Sequence, residues 1–107
     1  MQPRPGDDPI LGRFRSEIER AYGPRLERAI LYGSRARGDA REDSDYDIAV
    51  FLRDVVDPAK ERERLADIGT DILYDAGKLV HARPYRAGAY RDRTPLMHEI
   101  REDGIDT

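Results

Sequence analysis

The sequence predicts a compact α/β domain, and three observations carry that reading. Asp8-Pro9, Asp57-Pro58 and Thr94-Pro95 each place a capping side chain before a helix-compatible proline. Two apolar runs, at 29–32 and 48–52, are too short for helices and read as buried strands. Helical and strand signals then follow one another as α, β, short α, β, α, β, α.

The first helix is expected over 9–22. Ile10, Leu11, Phe14, Ile18 and Tyr22 recur at helical spacing, and Gly23-Pro24 stops the segment. Ala29 to Tyr32 reads as the first strand, ending at Gly33-Ser34. Residues 35–44 are polar and rich in arginine, with Gly38 as a turn residue; they suit a short helical turn and a loop. The second strand is expected from Ser44 to Leu52, with Ile48, Val50 and Leu52 alternating with Asp45, Asp47, Ala49 and Phe51.

A long helix should run from Asp57-Pro58 to Ala76, capped by Gly77, with Leu65, Ile68, Ile72 and Leu73 on one side. Its first turns, Lys60 to Arg64, are charged throughout and read as a solvated face. Residues 78–85 suit a third strand. Pro95 to Gly104 suits a last helix with Leu96, Met97 and Ile100 inward. Tyr32, Tyr46 and Tyr74 read as packing residues. Residues 1–7 read as a flexible leader, and the whole of 1–107 as one domain.

Composition narrows the function classes. Hydrophobic and charged residues each make up 38% of the 107, so the core should be thin and a partner could cover part of the surface. With 19 basic and 22 acidic residues the formal charge is −3, which argues against strong nucleic-acid binding. There are no cysteines, so disulfides and thiolate metal sites are excluded. No stretch resembles a signal peptide or is long enough to span a membrane, which makes the cytoplasm the expected location.

The chemistry lies between Leu31 and Val50. Asp45 and Asp47 are two apart in a strand, so both carboxylates project to one face. Like charges so placed repel each other. A divalent cation would offset that cost, and magnesium typically takes one or two carboxylates plus substrate phosphates. Gly33-Ser34 follows a strand at a turn whose backbone N–H groups suit phosphate. Glycine allows close approach, and serine adds a hydroxyl. Arg35 and Arg37 read either as further phosphate ligands or as surface-pairing residues. If the two strands are neighbours, phosphates at Ser34 would lie beside a metal at Asp45 and Asp47, as metal-assisted nucleotidyl transfer requires.

Gly33-Ser34, ten residues, then Asp45-Tyr46-Asp47 resembles the signature of the DNA polymerase β-like nucleotidyltransferase superfamily. Ala36-Arg37-Gly38, Ser44 and the short length resemble its minimal nucleotidyltransferase (MNT) branch. The resemblance implies an α/β (α+β) fold, a small mixed sheet flanked by helices. It implies that Gly33, Ser34, Arg35 and Arg37 bind ATP or another nucleoside triphosphate. It implies that Asp45 and Asp47 are catalytic and hold Mg2+. It further implies an antitoxin role against a small helical HEPN-family partner, in some members by transferring AMP from ATP to a tyrosine of the toxin. The alternative is a catalytically silent antitoxin that acts by contact alone. Transfer to a small molecule, as in aminoglycoside nucleotidyltransferases, would need a second domain.

The sequence departs from the family in one place. Its members usually carry a third carboxylate on a later strand, but Lys78 to Tyr85 contains no Asp or Glu. His81 or Arg83 can take that place, and Asp71 and Asp75 lie on the preceding helix. His81 reads as a plain strand residue or as a base near neutral pH.

Overall fold

The computed structural model describes residues 8–107. The leader expected at 1–7 lies outside the described residues. Helix α1 spans Pro9–Tyr22, and α3 Pro58–Ala76, as the capping signals predict. Asp8 accepts hydrogen bonds from the N–H groups of Ile10 and Leu11 at 2.8 and 3.3 Å. Asp57 does the same for Ala59 and Lys60 at 3.1 and 3.3 Å. Thr94 Oγ1 accepts from Met97 N at 3.1 Å and starts α4, Pro95–Asp103. Each cap satisfies donors that have no acceptor inside the helix.

The strands are β1 (Leu26–Tyr32), β2 (Tyr46–Leu52), β3 (Val80–Arg86) and β4 (Ile105–Asp106), with the short helix α2 (Ser34–Arg37) between β1 and β2. They form one sheet in the order β3-β2-β1-β4. β1 pairs antiparallel with β2 and with β4, whereas β2 pairs parallel with β3. The sheet is therefore mixed, and α3 supplies the crossover that a parallel pair needs.

β1 starts three residues before the apolar run. Its first residues, Leu26 to Arg28, are only partly buried and carry no strong apolar signal. β2 begins at Tyr46 rather than Ser44, leaving Asp45 just outside the ladder. β4 is two residues long, too short to leave a periodicity.

Two apolar layers hold the sheet. On one face Leu11, Phe14 and Ile18 of α1 and Leu65, Ile68 and Ile72 of α3 pack against Leu31, Ile48, Val50 and Leu52. On the other, Met97 and Ile100 of α4 cover Ile30, Tyr32, Ala49 and Phe51. β2 is thus buried on both faces, which is why it reads as a nearly continuous apolar run after Asp47. Full burial of a side chain such as Phe14 contributes about 1.5–3 kcal/mol.

Three helical expectations change. Leu73 is 43% exposed and Tyr74 85%, so neither belongs to the core. Both lie in the last turn of α3, beyond the buried Ile72. Glu61, in the run expected to be solvated, is only 6% exposed and pairs with Arg25. Among the described residues, no helix is long and apolar enough to cross a membrane.

Candidate functional site

α4 packs on the Tyr32 and Ala49 face of the sheet, and strand alternation puts the half-buried Asp47 on the same face. β1 delivers the chain to Gly33, whose φ of +75° and ψ of −155° suit glycine alone. The Gly33 carbonyl accepts from the N–H groups of Ala36 and Arg37, both at 3.1 Å, and the turn closes at Gly38. The opening N–H groups of such a turn have no acceptor within it.

β2 lies directly beside this turn. Tyr32 and Asp47 are register partners, so the carboxylate follows the pairing straight to Gly33. A Cβ on Gly33 would stand 2.6 Å from Asp47 Oδ2. Glycine is therefore required twice, for its backbone angles and for the space the carboxylate occupies. The turn and the Asp-x-Asp pair are neighbours, as the sequence anticipates.

Asp47 is half-buried and Asp45 is exposed. Burial raises the Asp47 pKa above the usual carboxylate value, and the like charges of Asp45 and Glu99 add to the rise. His81 and Arg83 oppose it. Tyr32, only 8% exposed, forms the floor beside Asp47; burial likewise pushes its phenol up. A half-buried carboxylate beside a second one is a site short of positive charge. That donor set fits one magnesium ion, which would take its remaining ligands from phosphate and water. Among the described residues, no three acidic, histidine or cysteine side chains form a ready-made metal cage.

The two arginines differ in placement. Arg35 lies 4.0 Å over the Tyr46 ring, and its guanidinium donates to the Ser44 carbonyl at 2.7 and 3.0 Å. It also donates to the Glu42 carbonyl at 3.2 Å. These contacts tie Arg35 to the 41–44 loop. Tyr46 beneath it donates its hydroxyl to Asp8 at 2.8 Å, and burial with that bond pushes its pKa up to about 12. Arg37 is held at the surface by Asp39 at 3.1 Å and Glu99 at 3.7 Å. Two exposed ion pairs of this kind are weak and exchangeable, so Arg37 remains available to an anion.

Glu99 is the residue that sequence reasoning missed. It sits on α4 between the buried Met97 and Ile100, and nothing in helical spacing tells which strand ends that helix overlies. β3 supplies His81, whose Nε2 is 3.8 Å from Asp45 Oδ2, and no carboxylate. His98, in α4, is exposed.

Comparison with known proteins agrees with this fold. The family described as polymerase beta, nucleotidyltransferase matches residues 17–104. A Methanocaldococcus jannaschii protein named "Putative protein adenylyltransferase" is 33% identical over 97 residues, covering 91% of this chain and 94% of its own. Among solved structures, a "putative nucleotidyltransferase" from Sulfolobus solfataricus superposes with a TM-score of 0.63 at 20% identity, over 91% of this chain and 75% of that one. A toxin–antitoxin structure with AMP-PNP gives 0.61 at 20% identity, over 87% and 68%. The toxin–antitoxin MntA–HpeT, in a mutant form, gives 0.60 at 18% identity, over 86% and 68%. These structural likenesses speak to the fold; the family match and the archaeal relative speak to descent. The chain belongs to the polymerase beta nucleotidyltransferase family.

Proposed function

We propose that the domain binds ATP with Mg2+ and transfers AMP to a hydroxyl of a partner protein, acting as the antitoxin of a HEPN-family toxin. The observation that carries this is the Asp47 carboxylate lying against the Gly33 turn, with Asp45 two residues before it. The M. jannaschii relative, named as a protein adenylyltransferase, supports the reaction class. The toxin–antitoxin neighbours, one of them with AMP-PNP, support the biological setting and the nucleotide.

The chain's own residues divide the work. The Gly33 turn and the Ser34 hydroxyl hold phosphate oxygens, and Arg37 exchanges its surface carboxylates for them. Asp45 and Asp47 hold the divalent ion, which when bound supplies charge neutralisation at the transferring phosphorus. The acceptor oxygen forms a bond to the α-phosphorus while the bond to the β-phosphate oxygen breaks. Pyrophosphate leaves and the hydroxyl proton passes to solvent or a base. The face around Tyr32 holds the Asp47 carboxylate in a half-dry setting, where positioning and charge govern the rate.

Labelled ATP tests this. With the partner protein and Mg2+, label in the α-phosphate should appear on the partner, and label in the γ-phosphate should not. Partner protein that stays unlabelled under both conditions contradicts the reading.

A second reading is favoured by β3, where His81 and Arg83 replace the third carboxylate. The domain would then neutralise its partner by contact alone. Asp47→Ala that still inhibits the toxin in the absence of ATP would select it.

A further inference from the structure

The strand beside the carboxylate pair departs furthest from a metal-binding surface. β3 runs parallel to β2 with His81 opposite Asp47 and Arg83 opposite Ala49. Register partners in a sheet share a face. Farther along the same face Phe51 and Tyr85 stack with centroids 5.5 Å apart, while Val80 and Ala82 pack with the opposite layer. His81 and Arg83 therefore stand on the Asp47 side. His81 Nε2 reaches within 3.8 Å of Asp45 Oδ2.

Magnesium selects oxygen ligands, and two magnesium ions held about 3.5–4 Å apart need enough anionic oxygen for both. Asp45 and Asp47 bring two negative charges, which one divalent ion neutralises. The next strand adds an imidazole and a permanent cation, not an acid. The nearest further carboxylate found at this face, Glu99, is directed to Arg37 at 3.7 Å on the flank of the phosphate turn. No third acid completes a cage among the described residues.

We propose that this site works with a single divalent cation, the one that arrives with the nucleotide, and that His81 and Arg83 exclude a second. The inference rests on the nucleotide site proposed above. The sheet order gives the excluded position a meaning. Because β2 lies between β1 and β3, the phosphate turn and Arg83 flank the carboxylates from opposite sides. Attacking and leaving oxygens lie roughly in line in phosphoryl transfer. An acceptor hydroxyl opposite the leaving pyrophosphate therefore approaches over β3, where Arg83 supplies fixed positive charge in place of a metal.

The test counts Mn2+ retained by the full chain, by electron paramagnetic resonance, with a non-hydrolysable ATP analogue bound. The expected stoichiometry is one ion per chain in the wild type. It is two in His81→Asp/Arg83→Gln, which adds an acid and removes the cation. Two ions per wild-type chain would overturn the proposal. So would one ion in both proteins, with the variant folded by circular dichroism, since these residues would then not be what excludes the second. Failure of the analogue itself to bind, read by calorimetry on the same samples, would instead overturn the nucleotide site and the inference with it.

Discussion

Asp47 Oδ2 occupies the space that a side chain on Gly33 would need: a Cβ there would lie 2.6 Å from it. The register pair Tyr32–Asp47 enforces this approach. The Gly33 turn and the Asp47 carboxylate are set side by side by the β1–β2 ladder.

Gly33→Ala should damage both folding and binding. It places a side chain at φ +75° and against a carboxylate. Such strain costs about 1–3 kcal/mol, readable by denaturant unfolding. Relief by displacing Asp47 would also abolish Mg–ATP binding in calorimetry.

The two arginines should separate by readout. Arg35→Ala removes the stack over Tyr46 and the bonds to the Ser44 and Glu42 carbonyls. It should cost about 1–2 kcal/mol of stability. Arg37→Ala should leave the unfolding midpoint nearly unchanged and weaken Mg–ATP binding about tenfold, the worth of one charge-assisted hydrogen bond.

Asp47 should give stability a distinctive pH dependence in metal-free buffer. Its folded-state pKa is raised above the ordinary 3.8, first by burial. The folded chain then holds the proton more tightly than the unfolded chain. Stability falls as pH rises from the ordinary value through the raised one, and the penalty is complete above it. Asp47→Asn should therefore be more stable than wild type at pH 7. The advantage should vanish below the ordinary carboxylate range. Thermal melts across pH, with chelator present, check this.

Arg25→Ala should strand Glu61, which is 6% exposed beside its partner. Arg25 is itself 32% exposed. The expected loss is about 1–3 kcal/mol, below that of a fully buried pair. Glu61→Gln in the same background should recover part of it.

Much of this was legible from residue types. The three capped helices announce themselves by Asp-Pro and Thr-Pro, because caps and proline act locally. The pairing of Gly33-Ser34 with Asp45 and Asp47 is likewise visible, since spacing and strand alternation decide it. What the sequence hides depends on tertiary placement. Arg35 and Arg37 are identical residues in one short turn, and only the course of the 41–44 loop sends one to Tyr46 and the other outward. Glu61 looks solvated within a charged run until Arg25 arrives from β1's entry. Tyr74 looks like a packing aromatic, yet lies 85% exposed where α3 runs past the sheet. Glu99 joins the site because α4 crosses β1, a contact no local pattern encodes.

The most direct measurement is calorimetric titration of Mg–ATP into the wild-type chain and into Asp45→Asn/Asp47→Asn. The expectation is binding by the wild type with a stoichiometry near one, and its loss in a variant that remains folded. Equal binding by both proteins, or none by a folded wild type, would contradict it.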